Sequence, residues 1–308
     1  SFEIINGVGQ WNYNPIDGGP VQTVIPIVNT AGLLYAHSVI TSGVYQSTDY
    51  GAHWSTVGHA SGQFFTYDPF DPNNLYLNTL QSTDGGVTWH DMLEGTHWPG
   101  TDKAPGVYTQ AFPDLTHPGF IFLAAAEIPT GSGTPSGLLR SDDAGQTWQV
   151  IETGLLSGDT HVTAMAFSEN TIYLGTRDGN LYRSEDEGGT WQRIGDTNVL
   201  PSIGILKINP YEPNELWITT HYSVTASAQI VTMDLSDPNT AISPVPGWSE
   251  QSYPKTMEFL AKDSVIIGSN WDNGWITEDD GNTWRLFQPS TGKPGYWLAL
   301  DPWDTAQN

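Results

Sequence analysis

Ser184-Glu185-Asp186-Glu187-Gly188-Gly189-Thr190-Trp191 is the stretch that decides the fold, because the chain repeats it. The same pattern, Ser-x-Asp-x-Gly-x-Thr-Trp, stands at Ser82–Trp89 and Ser141–Trp148, and at Thr277–Trp284 with Thr in first place. Ser47–Trp54 matches with His53 where the others have Thr. The aspartates, Asp49, Asp84, Asp143, Asp186 and Asp279, stand 35, 59, 43 and 93 residues apart. The last step is about twice the others, and Thr232-Met233-Asp234 lies within it as a worn copy without its Gly and Trp. A period of roughly 45 residues is that of a four-stranded propeller blade.

Each residue of the repeat has a structural task. Asp accepts hydrogen bonds from backbone N–H groups of its own turn. Gly permits a backbone angle that other residues resist. Trp supplies a large apolar wedge at the head of the next strand. The five aspartates are therefore read as turn residues rather than catalytic ones. A second phrase recurs as Asp68-Pro69-Phe70-Asp71-Pro72-Asn73 before Leu75-Tyr76-Leu77, and as Asn209-Pro210-Tyr211-Glu212-Pro213-Asn214 before Leu216-Trp217-Ile218. Its Pro and Asn content marks a turn between first and second strands.

The eight-residue repeat resembles the Asp-box (BNR) motif of sialidases, large xyloglucanases, sortilin-type receptors and the photosystem II assembly factor family. The resemblance runs from about Val21 to Pro302. It implies a β-propeller whose Asp-boxes join third to fourth strands, on the face opposite the usual binding site. The expected fold is all-β, one propeller domain over residues 1–308. Seven four-stranded blades are expected at about 21–58, 61–94, 107–152, 160–195, 203–246, 255–288, and 295–308 together with 1–20. In the last blade, N- and C-terminal strands would pair and remove a sheet edge. A six-bladed ring is the alternative. No stretch of ten residues has helical periodicity, and no run of 18 apolar residues exists to span a membrane.

Composition narrows the partners. Ten Lys and Arg against 34 Asp and Glu leave a formal net charge of −24. Phosphate contacts need basic groups, so nucleic acid and anionic membrane are excluded as partners. The absence of Cys excludes disulfides, thiolate metal sites and Cys nucleophiles. A glycan or polysaccharide fits, as does a protein partner, and the acidic shell suits a secreted or periplasmic protein.

In a blade, the second-to-third and fourth-to-first connections fall on one face, away from the repeat turns. The long irregular segments belong to these connections, and long loops are often functional. For sugar binding, Trp98, Tyr222, Trp248 and Trp271 are the stacking platforms, with Asn270, Arg177 and His161 for hydroxyls. For glycoside hydrolysis, the candidate carboxylates are Glu127, Asp102, Asp159, Asp178 and Asp272. Two of these would have to flank the bond, about 5–5.5 Å apart if retaining and about 6.5–9.5 Å if inverting. His59, His97, His161 and His221 come from separate blades and are weak candidates for a metal site, without supporting spacing. No other cofactor is expected.

Sialidases hold their substrate with three Arg. Of Arg140, Arg177, Arg183, Arg193 and Arg285, only Arg177 falls on the loop face, and the Phe-Arg-Ile-Pro motif is absent. Sialidase chemistry is therefore disfavoured. Xyloglucanases cleave between two propellers, and this stretch encodes one. A uronate-directed lyase would draw on Arg177 or Lys103 with His161 or Tyr222. The expected function is extracellular carbohydrate recognition through the loop face, with a glycoside hydrolase or a protein-binding scaffold as alternatives.

Overall fold

Three runs, Leu75-Tyr76-Leu77, Ile121-Phe122-Leu123 and Leu216-Trp217-Ile218, are almost wholly without solvent exposure. Each lies in the second strand of its sheet. A strand covered on both faces reads as a continuous apolar run rather than an alternation. The outer strands behave oppositely: Gln149–Val150 is exposed, and Ser55–His59 has no buried residue. The sheets are thus stacked face to face, with their fourth strands outermost.

The computed structural model describes residues 2–5, 8–11, 21, 23–94, 110–125, 137–151, 155, 161–195, 200–221, 228–237, 242–248, 254–269 and 274–287. These form six four-stranded antiparallel sheets in simple up-and-down order. Blade one comprises Thr23–Pro26, Leu34–Ser38, Gly43–Ser47 and Ser55–His59. Blade two comprises Phe65–Asp68, Asp71–Leu77, Leu80–Ser82 and His90–Asp91. Blade three comprises Gln110–Pro113, Ile121–Ala125, Gly137–Ser141 and Gln149–Val150. Blade four comprises Val162–Ser168, Thr171–Thr176, Leu181–Ser184 and Gln192–Ile194. Blade five comprises Ile203–Asn209, Glu212–Thr220, Ile230–Asp234 and Ser243–Pro244. Blade six comprises Pro254–Ala261, Ser264–Ser269, Gly274–Thr277 and Arg285–Phe287.

The core lies between blades. One apolar cluster joins Tyr35 and Val44 of blade one to Leu75 and Leu77 of blade two. Another joins Phe122 and Leu138 of blade three to Leu174 and Tyr182 of blade four. Trp217 and Ile230 of blade five meet Met257, Phe259 and Ile267 of blade six. The first strands of blades four, five and six lie side by side. This is a β-propeller, as expected.

The expected count of seven is corrected to six complete blades among the described residues. The reason is visible in the turns. Every complete sheet owns one third-to-fourth turn, supplied by the five repeats and the worn copy at Asp234. No repeat remains for a seventh. Phe2–Ile5 and Val8–Trp11 pair with each other as a two-stranded hairpin. The inner strand expected within 295–308 lies outside the described residues. No helix among them is long and apolar enough to cross a membrane.

The repeat turns are hydrogen-bonded knots. Asp143 Oδ1 accepts from Ser141 Oγ at 2.8 Å, Thr147 N at 2.8 Å and Gln146 N at 3.0 Å, and Oδ2 accepts from Thr147 Oγ1 at 2.6 Å. Ser141 Oγ in turn accepts from Gly145 N at 2.8 Å. His53 replaces Thr by placing Nδ1 2.6 Å from Asp49 Oδ2. Four of the repeat Trp donate Nε1–H to their own repeat's Gly carbonyl; Trp191 instead donates to Ile151 O of blade three at 2.9 Å. In the worn copy, Asp234 Oδ1 still accepts from Ser236 N and Oγ. The residue before the repeat Gly also has positive φ: 59° at Tyr50, 59° at Ala144 and 58° at Glu187. The turn thus needs two successive left-handed residues, which the single Gly of the motif does not reveal.

Donors surrounding the carboxylates hold them ionised. Asp84 and Asp143 are lowered to about 2, chiefly by the following Thr hydroxyl and N–H, and Asp49 to about 2 by the His53 N–H and ring. Folded-state values below the unfolded ones add stability above the unfolded value, and that stability drains as pH falls through the folded value. The melting temperature is expected to hold down to about pH 4 and to fall between about pH 4 and pH 2. Asp143→Asn should melt lower at pH 7 and lose less on acidification. A variant that tracks the parent protein at every pH would sink this assignment.

Candidate functional site

In antiparallel blades, the end of the second strand and the start of the first lie at the same end of the sheet, opposite the repeat turns. Arg177 follows Thr171–Thr176 in blade four, His221 follows Glu212–Thr220 in blade five, and Lys255 is the second residue of Pro254–Ala261 in blade six. All three therefore lie at the loop end of consecutive blades.

Local structure positions each. Arg177 rides on a tight turn closed by Thr176 N to Asn180 O at 3.0 Å and Gly179 N to Thr176 O at 3.1 Å. Its own N–H donates to His161 O at 2.9 Å, tying the turn to the strand beside it. Gly179 has φ +80°, and a Cβ there would lie 2.0 Å from Leu200 O. His221 N donates to Ser202 O at 3.0 Å. Its ring lies over Gly204, where a Cβ would come within 3.0 Å of Nε2. Lys255 sits in a register shift between Pro254 and Thr256.

The electrostatics follow from this placement. Burial, then the charges of Lys255 and Arg177, hold the His221 imidazole below its usual range. Burial also lowers Lys255. A neutral imidazole can donate one N–H and accept one hydrogen bond. Among the described residues, no group of three or more His, Asp or Glu could hold a metal.

The other sequence candidates divide by place. Trp98, Tyr222, Trp271, Asn270, Glu127, Asp102, Asp159, Asp272 and His97 lie outside the described residues. Asp178 is exposed on the Arg177 turn, and His161 is half-buried beside it. His59 ends the outermost strand of blade one opposite Gly43, whereas His161 precedes the first strand of blade four and His221 follows the second strand of blade five. Trp248 is not a stacking platform. Its ring packs edge-on against Trp284 at 5.1 Å and Trp275 at 6.2 Å, and Gly247 N donates to Gly281 O in the repeat turn of blade six. Burying an indole between blades removes more apolar surface from water than leaving it on a loop. Asp49, Asp84, Asp143, Asp186 and Asp279 are all held in their turns, as expected.

Lys255 and Gly204 escape the sequence reading. Both lie inside first strands, and their meaning comes from the neighbouring blade. The one hint was a lone Lys at the head of an apolar strand in a strongly acidic chain.

Sheet order and interblade cores define the class as a β-propeller. No protein-family model matches the chain. It is similar to a xyloglucanase of Hypocrea jecorina (strain QM6a), 23% identical over 86% of this chain and 38% of that protein. It is likewise similar to a xyloglucanase of Paenibacillus sp, 25% identical over 94% of this chain and 28% of that one. Among solved structures, an ancestral GH74 enzyme superposes with a TM-score of 0.67 at 22% identity, covering 89% of this chain and 39% of that chain. YCF48 from Cyanidioschyzon merolae superposes with a TM-score of 0.61 at 12% identity, covering 91% and 88%. The chain spans 38% or less of the length of these two xyloglucanases.

Proposed function

We propose that this chain is an extracellular, carbohydrate-active propeller that holds a polysaccharide on its loop face. The observation that carries the reading is the similarity to xyloglucanases over 86–94% of the chain. Three further features fit it. The acidic charge disfavours nucleic acid, whose phosphates need basic contacts. The repeat aspartates are occupied in turns, which leaves the opposite face for a ligand. The Arg177, His221 and Lys255 side chains supply hydrogen-bond donors there, as sugar oxygens require.

Binding is the primary role. Hydrolysis is the second reading, favoured by the same relatives, and would use two of Glu127, Asp102, Asp159, Asp178 and Asp272. A secreted or periplasmic location goes with either.

Native electrophoresis through gels cast with soluble polysaccharides tests the proposal, with reducing-end release measured alongside. Retardation by at least one neutral or acidic polysaccharide is expected, and new reducing ends would convert binding into hydrolysis. Unchanged mobility in every gel would overturn the carbohydrate reading and favour a protein-binding scaffold.

A further inference from the structure

The repeat turn closes with unlike side chains at its fourth and sixth positions. Blades three, four and six place Ala144 and Gln146, Glu187 and Gly189, and Asp280 and Asn282 there. Blade one has Tyr50 at the fourth position and blade two has Val87 at the sixth, 53% and 58% exposed. In the first-to-second turns of the same two blades, Val28 and Phe70 are 52% and 47% exposed. Both kinds of turn lie at one end of an antiparallel blade, joined by Tyr50 N to Gly32 O at 3.1 Å and Gly85 N to Asn73 O at 2.9 Å. The blades are joined as well. Asn29 Nδ2 donates to Pro69 O at 3.2 Å, and a Cβ on Gly58 would lie 3.1 Å from Val87 O. The four apolar side chains therefore share one continuous surface, which the turn chemistry does not require.

Charge singles out the same surface. No Lys or Arg precedes Lys103, so blades one and two, described throughout residues 23–94, contain none. Asp71 is exposed beside Phe70, and their turns keep Asp49 and Asp84 ionised. His53, the one histidine within these turns, is bonded to Asp49. Arg140 of neighbouring blade three lies beside Asp142 and Glu187.

We propose that the repeat-turn end of blades one and two is a docking surface for a basic, amphipathic segment of a partner protein, one that carries Lys or Arg among apolar side chains. This function is separate from the polysaccharide reading and uses the opposite face, so the two faces can be occupied together. Tyr50 and Phe70 are the anchors, since aromatic rings bury much area at little cost in side-chain freedom. Val28 and Val87 extend the apolar contact. The carboxylates of Asp49, Asp71 and Asp84 attract the partner's cations and select against acidic partners. The same charges rule out a second copy of this chain set face to face, because each carboxylate would then oppose another.

The test is fluorescence anisotropy of the purified chain with three short labelled peptides, alternating Lys with Leu, Lys with Ser, and Glu with Leu. The Lys/Leu peptide is expected to bind at least about tenfold tighter than either of the others. The double variant Tyr50→Ala with Val87→Gln takes its side chains from this chain's own repeat in blade three, so the turns still close. It should weaken Lys/Leu binding by about tenfold and leave Lys/Ser binding unchanged. Phe70→Ser, in the other turn, should do the same independently. Asp71→Asn should weaken Lys/Leu binding by about threefold at low salt and less at high salt. Ile40→Ser removes an exposed apolar side chain from the opposite face and should leave every affinity unaltered. Equal urea midpoints for all variants would show that binding, not folding, is being read. Lys/Ser binding as tight as Lys/Leu, or Lys/Leu binding indifferent to both the double variant and Phe70→Ser, would overturn the docking surface. Glu/Leu binding as tight as Lys/Leu would overturn its assignment to a basic partner. So would self-association in sedimentation that the double variant abolishes, since the face would then belong to a second copy.

Discussion

Trp217→Ala is expected to cost about 3–5 kcal/mol of folding stability, the range for emptying an aromatic site in a packed core. Trp217 is 1% exposed in the second strand of blade five. Its ring meets Phe259 of blade six edge-on at 5.8 Å and 89°. It belongs to the cluster that binds the two blades through Ile230, Met257 and Ile267. Neighbouring blades share this core, so the cavity would open at an interface that neither sheet can close alone. One feature softens the conservative change. Trp217 Nε1 is buried with no hydrogen-bond partner among the described residues, and an unmade bond already costs the native state. Trp217→Phe removes that N–H with less volume and should cost about 1–2 kcal/mol. Urea unfolding followed by circular dichroism would decide. A loss below about 1 kcal/mol for the Ala variant would mean that the interblade core does not hold the propeller together.

Gly179→Ala is the second large effect, at about 2–4 kcal/mol. Two penalties add. The backbone has φ +80°, where a Cβ is resisted. The new Cβ would also lie 2.0 Å from Leu200 O and 2.9 Å from its carbonyl carbon, backbone atoms that cannot rotate away. The turn must then move, and it carries Arg177. Ligand binding should therefore fall together with stability. Asp178→Ala, one residue away and exposed, should stay within about 0.5 kcal/mol of the parent protein. If Gly179→Ala unfolded at the parent's urea midpoint, the turn would be more adaptable than its contacts imply.

The turns made the architecture readable. Ser, Asp, Gly, Thr and Trp act within eight residues, so their chemistry is local and survives in sequence. Second strands were equally plain, because Leu75-Tyr76-Leu77 and Leu216-Trp217-Ile218 are apolar on both faces. The expected seventh blade rested on 295–308 with 1–20, stretches that hold no copy of the repeat turn. Function was far less legible. Trp248 has the composition of a sugar platform, yet its ring faces Trp284; only the packing of two blades distinguishes these. His59 seemed able to converge with His161 and His221, but strand order puts it on the outside of blade one. Lys255 went unseen because its influence on His221 crosses from blade six to blade five. Nothing local in residues 254–261 expresses that distance.

The central claim is that a polysaccharide sits on the face opposite the repeat turns. Hydrogen–deuterium exchange, with and without a saturating saccharide, tests the location directly. The account expects slowed exchange in peptides covering residues 161, 175–180 and 219–221, with no change in those covering 82–89, 141–148 and 277–284. Protection at the repeat turns, with the 175–180 peptides unaltered, would contradict it.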